Sequence, residues 1–103
     1  MGGDPDFVAE LIGDFLDGLP GQLDSLRSAQ SSGDAEQMHR IAHTLKSNAS
    51  TFGAEELALA CRALEQAAAG GPGTETQELV ARVEVQAALV VPPLASARDQ
   101  RAP

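Results

Sequence analysis

His43 and Lys46 are the side chains whose types and spacing best suit chemistry in this chain. They lie in Ala42-His43-Thr44-Leu45-Lys46-Ser47-Asn48-Ala49-Ser50-Thr51-Phe52-Gly53-Ala54. Wound as an α-helix at about 100° per residue, this stretch separates into two faces. Met38, Ile41, Ala42, Leu45, Ala49 and Phe52 form an apolar stripe, while His39, His43, Lys46, Ser47 and Ser50 gather opposite. That geometry points His43 roughly 150° from the centre of the stripe, toward solvent. Imidazole, with an unperturbed pKa of about 6.5, is a nitrogen nucleophile near neutral pH. One ring nitrogen can attack while the other keeps its proton and donates it to an acceptor. Lys46 places a positive charge one turn further on, and Ser47 and Ser50 keep the approach clear for a bulky partner. Periodicity alone leaves His43 and Lys46 as solvated side chains; the combination favours chemistry.

The same residues resemble the phospho-accepting motif of histidine-containing phosphotransfer (HPt) domains: His-x-Leu-Lys, a small residue, a short gap, then an apolar residue and Gly-Ala. Here these are His43-Thr44-Leu45-Lys46, the small residues that follow, and Phe52-Gly53-Ala54. The resemblance extends to Arg40, three residues before His43, and to Cys61-Arg62-Ala63-Leu64-Glu65. One departure is Ser47, where the family most often has glycine; serine keeps the surface low but crowds the imidazole slightly more. The resemblance implies that His43 accepts a phosphoryl group from a phospho-aspartate or a histidine kinase and passes it to a receiver-domain aspartate. It implies that Mg²⁺ and the acidic pocket belong to the receiver, this chain having no intrinsic cofactor.

If the helices on either side of Gly53 form an antiparallel hairpin, His43 lies level with residues near 62 to 65. Arg62 and Glu65 are then the polar candidates to orient the imidazole. Glu65 also matches a position where some family members place a glutamate for that role; a plain surface carboxylate is the alternative. Partner contacts are expected from His39, Arg40, Ser47 and Ser50 around His43, and from Phe7 and Leu11 as apolar residues left over on the first helix. Docking must be reversible, so a modest interface is expected.

Other chemistry has less support. His39 and His43, at i and i+4, could bind a metal from one helix face, but two ligands are too few for a tight site. Cys61 falls on an apolar stripe and reads as core. The Gly70–Gly73 turn lacks the lysine and hydroxyl of a nucleotide-binding loop, so a phosphocarrier and not an enzyme is expected, free-standing or part of a hybrid kinase. The Gly2-Gly3 start and the loose end after Pro93 favour an excised domain.

The bulk properties set bounds. A chain of 103 residues makes one domain. Its aromatic share of 3% means an aliphatic, alanine-rich core, and the composition favours helix. A formal net charge of −8 with scattered cations argues against nucleic-acid binding. A lone cysteine excludes an internal disulfide and fits a reducing compartment. No apolar run approaches the roughly 20 residues of a membrane span, and no signal peptide is visible. A cytoplasmic monomer without membrane contact is the expectation.

The elements that must position His43 follow from helix signals. Asp4-Pro5 reads as an N-cap and first helical residue, followed by Phe7, Val8, Leu11, Ile12, Phe15, Leu16 and Leu19 at helical spacing. Gly18 and Pro20-Gly21 predict a break or kink, with a further helix carrying Leu19, Leu23 and Leu26. Ser31-Ser32-Gly33 is a turn, and Asp34 with Gln37 a capping box opening the helix that runs to about Phe52. Glu55 and Glu56 begin the next, with Leu57, Cys61, Leu64 and Ala68 inward. After the Gly70–Gly73 loop, Thr74 with Gln77 reads as another capping box, with Val80, Val83, Ala87 and Val90 on the inner face. Pro92-Pro93 should stop or sharply bend that helix.

The expected fold is therefore all-α: an antiparallel up-down-up-down four-helix bundle with an additional short N-terminal helix. The bundle should cover residues 4–95, with 1–3 and 96–103 as flexible termini. Two rival functions remain: a phosphate-free helical interaction module, and a His39/His43 metal-binding bundle.

Overall fold

The computed structural model describes residues 5–99. Among them are four helices and no strand: α1 (Pro5–Ser32), α2 (Ala35–Thr51), α3 (Glu55–Ala68) and α4 (Thr74–Asp99). Each helix packs against its neighbours in the chain, and α4 closes the ring on α1. The ties run antiparallel. Arg27 in the last third of α1 donates to Glu84 in the first half of α4 at 3.0 Å, and Phe15 meets Phe52 with ring centroids 5.4 Å apart.

The core is the stripe that periodicity predicts. Met38, Ile41, Ala42, Leu45 and Ala49 of α2 face Leu57, Ala60, Cys61, Leu64 and Ala68 of α3, and all are buried. Leu19, Leu26 and Ala29 of α1 and Val80, Val83 and Ala87 of α4 complete it. Val90 is half-buried against this cluster.

Two short turns set the registers. Gly33 and Gly53 both adopt left-handed backbone, with φ of 76° and 71°, a region that glycine enters without steric cost. Beyond Gly53, the Ala54 N–H donates to the Ala49 carbonyl at 2.8 Å and the Gly53 N–H to Ser50. This is the Schellman arrangement, which satisfies the last carbonyls of α2 and reverses the chain directly into α3. The Asp34 N–H makes the equivalent bond to Ala29 at the end of α1.

Four local expectations need correction. The first helix does not break: α1 runs unbroken for 28 residues through Gly18, Pro20 and Gly21, so the additional short N-terminal helix is its first half. Those three residues are exposed. Pro20 has no N–H to give to the Leu16 carbonyl, yet Leu19 and Leu26 hold both halves of the helix to the core. Pro92 and Pro93 likewise lie on the exposed side, and α4 continues past them to Asp99, four residues beyond the expected bundle limit. At the start of α4 the cap is not Thr74 with Gln77. Instead the buried Thr76 hydroxyl accepts from the Gly73 N–H at 2.7 Å. Asp34 does accept from the Gln37 N–H at 3.0 Å, but the Gln37 side chain turns to Arg40, so only half of that box forms. The proposed Asp4 cap, the Met1–Gly3 start and residues 100–103 lie outside the described residues.

α4 also exceeds the apolar length expected. An 18-residue window within it has a mean hydropathy of 1.3, enough by length and composition to cross a membrane. Here it is a bundle helix, with Thr76, Val80, Val83 and Ala87 buried and Glu84 bonded to Arg27.

α1 and α4 outlast the α2–α3 hairpin. At 1.5 Å per residue α1 is about 42 Å long, close to the 48 Å long axis of the molecule. Its first turns pair with the end of α4, burying Ala9 and Ile12 and leaving Phe7, Val8 and Leu11 exposed.

Candidate functional site

The site is built on the α2–α3 hairpin. Leu45 and Ala42 anchor one face of α2 in the core, and this forces His39, His43 and Lys46 outward toward α3. Leu64 and Cys61 do the same for α3 and leave Glu65 on the flank that faces α2. The turn at Gly53 brings residue 65 level with residue 43, as an antiparallel register requires.

Three side chains converge on Glu65. His43 Nδ1 lies 2.8 Å from Oε2, and Lys46 Nζ donates to Oε1 at 2.6 Å. His39 Nε2 lies 3.5 Å from the same Oε2, within ion-pair distance. The carboxylate is nearly covered, with 13% of its side chain exposed, whereas the His43 side chain is 59% exposed. The hydrogen bond from Lys46 holds the Glu65 carboxyl below its ordinary value of 4.5, with the His43 bond adding to it and partial burial opposing.

An ionised carboxylate can only accept, so the proton in the His43–Glu65 bond sits on Nδ1. Nε2 is then left with its lone pair, on the solvent side of the ring. Lys46 thus fixes Glu65, and Glu65 fixes the ring. Glu65→Gln is expected to loosen that tautomer, because an amide can offer either an acceptor or a donor. Imidazole ¹⁵N shifts should move toward a tautomer mixture; unchanged shifts would remove Glu65 from the site. A carboxyl held low by the fold contributes stability above its unfolded value, and that contribution disappears as pH falls through the lower folded value. The stability gap between parent and Glu65→Gln should therefore narrow on acidification below pH 4.5.

The remaining candidates fall into two groups. Ser47 and Ser50 are exposed on the same helix. Ser50 lines a shallow hollow with Lys46, Gly53, Ala58, Leu59 and Arg62. Arg40 does not join the site: its guanidinium is held by Glu36 at 3.0 Å and Gln37 at 2.9 Å on its own helix. Leu11 lines a second hollow with Asp14, Phe15, Asn48, Thr51 and Phe52, about 12 Å along α2 from His43. Phe7 lies further out, 57% exposed. Arg62, the other polar candidate for orienting the ring, lies in the hollow beside Lys46, while the bond to the imidazole comes from Glu65.

Cys61 is fully buried, and its thiol is pushed up to about 12 by burial and by the nearby Glu65 carboxylate, so it is no nucleophile near neutral pH. Among the described residues no group of three His, Cys, Asp or Glu is placed to hold a metal ion.

Three features went unread in the sequence, the Lys46–Glu65 pair among them. Leu59, 58% exposed, stands off the apolar stripe of α3, and that misplacement was the signal for the hollow beside Lys46. The contact of His39 with Glu65 had a signal too, since His39 is one turn before His43 on the same face.

No curated protein and no solved structure matches this chain. Residues 10–91 match the family described as Hpt domain, a stretch that contains His43, Lys46 and Glu65 together with the hairpin that unites them. Domains of this family serve histidine phosphotransfer in two-component systems as phosphocarriers, and they interact with receiver domains and kinases. With four antiparallel helices and a histidine exposed at the middle of α2, the chain belongs to the Hpt domain family.

Proposed function

We propose that this domain is a phosphorelay intermediate. It carries a phosphoryl group on Nε2 of His43 from a receiver phospho-aspartate, or from a histidine kinase, to the aspartate of a receiver in the cytoplasm. The observation that carries the reading is the 2.8 Å bond between Nδ1 and Glu65, which directs the ring's free lone pair outward.

In the acceptance step the Nε2 lone pair attacks phosphorus. The N–P bond forms as the P–O bond to the aspartate breaks, and the carboxylate leaves with the electron pair. The proton on Nδ1 stays where it is, and Glu65 balances the positive charge that develops on the ring. Onward transfer is the reverse, with the receiver carboxylate as nucleophile. Mg²⁺ belongs to the receiver's acidic pocket, and this chain supplies the nucleophile and a docking face. Lys46 positions Glu65 in the free domain and can turn to the phosphoryl oxygens in a complex.

The docking face centres on His43. Ser47 and Ser50 leave room for the partner's loops, and the hollow lined by Leu59 and Arg62 gives one apolar and one cationic contact. Phe7 and Leu11 extend the face along α1. A surface of this kind suits a modest, transient interface.

The test is incubation with a labelled phospho-receiver, followed by addition of unlabelled receiver. The expected result is an acid-labile, base-stable label on this chain that chases to the second receiver. Binding of the receiver without any label would overturn the carrier reading in favour of a phosphate-free module.

A further inference from the structure

Glu65 is shared by two imidazoles, and this second histidine is not needed to hold the first. His39 Nε2 stands 3.5 Å from the Glu65 oxygen that His43 Nδ1 already occupies at 2.8 Å. The two rings are nearly parallel, with an interplanar angle of 5° and centroids 6.4 Å apart. The His39 side chain is 53% exposed and open to solvent.

We propose that His39 is a proton-linked positioning residue: it takes up a proton when His43 is phosphorylated and releases it when the phosphoryl group departs. This rests on His43 being the phosphoryl carrier. The balance is simple: phosphorylation sets a phosphoryl group of about two negative charges on Nε2 against the single positive charge of the His43 ring, and neutral His39 plus one solvent proton becomes imidazolium.

The surroundings of His39 favour this exchange. From α3 it faces Glu65, the one acidic group within ion-pair distance of it among the described residues. Lys46 already occupies the other oxygen of that carboxylate, and His43 donates to the shared one, so His39 is the third group drawn to Glu65. On its own helix, Glu36 and Arg40 are paired with each other. α1 packs on α2 from another side, and its Arg27 is held by Asp24 and Glu84. The phosphoryl group on His43, one helical turn from His39 on the same face, is then a new anion in the field that His39 meets. The imidazolium formed would offset that anion and at the same time lean on Oε2 of Glu65, steadying the carboxylate that holds the His43 ring.

The experiment is an NMR titration of both histidines, before and after phosphorylation by phosphoramidate, which forms the N–P bond while releasing ammonia. The His39 midpoint is expected to rise by about half a pH unit or more on phosphorylation, from Coulomb attraction in a largely solvated site. In the His39→Gln variant, phosphorylated by phosphoramidate, the step that His39 contributes to the pH profile of phosphohistidine hydrolysis should be lost. A ³¹P signal for phosphohistidine with an unmoved His39 midpoint overturns the coupling and leaves the carrier reading standing. Absence of that ³¹P signal after exposure to both phosphoramidate and a phospho-receiver overturns both.

Discussion

His43→Gln is expected to abolish phosphoryl acceptance, a fall of roughly a thousand-fold or more, limited by detection. The side chain is 59% exposed and contributes no core contact, so the variant should fold as the parent does. Glutamine can still donate to Glu65, but it has no nucleophilic nitrogen to form an N–P bond. His39 should not substitute. Its Nε2 is turned toward Glu65, and Lys46 lies on the other side of His43, nearly two turns along the helix. Quantifying label on parent, His43→Gln and His39→Gln after a single exposure to phospho-receiver checks this. Retention of label by His43→Gln would place the accepting nitrogen elsewhere.

The largest effect on stability is expected from Leu45→Ala. Leu45 is fully buried on the inner side of α2, between the turns that carry His43 and Lys46. Truncation removes transfer free energy and leaves a cavity among well-packed aliphatic neighbours, at a cost of about 2–5 kcal/mol. For a domain of this size each kcal/mol lowers Tm by about 4–8 °C, so thermal unfolding should shift down by about 8 °C or more. The nucleophile itself is untouched. Label acceptance measured well below the lowered Tm should therefore stay within a few-fold of the parent, which separates the scaffold's contribution from the chemistry. Equal loss of folding and acceptance at low temperature would mean that Leu45 also sets the geometry of the site.

Much of this arrangement is legible in the residues, for reasons that differ along the chain. The α2 stripe from Met38 to Ala49 repeats at helical spacing with polar residues opposite, so burial and exposure are both dictated locally. The level of Glu65 against His43 is a longer-range inference, and it succeeds because a three-residue turn leaves little freedom in how α3 returns. Pro20, Pro92 and Pro93 mislead, because proline removes one intrahelical hydrogen bond but does not say on which side of the helix the carbonyl left over will lie. All three are exposed, and flanking leucines pack well enough to carry the helix through. The pairing of Lys46 with Glu65 was not evident. A lysine one turn from a histidine reads as a free charge, and only the packed hairpin shows that a carboxylate on the facing helix lies within its reach.

The outward nitrogen of His43 sits midway along α2, on the exposed face of a helical rod. If it carries the phosphoryl group as proposed, donor and acceptor must take turns at one berth. The relay would then be ping-pong by shape, its throughput bounded by how fast a spent partner lets go. Tightening the grip on either partner would lengthen each stay and slow the circuit, so selection on such a surface favours fast exchange over strong hold.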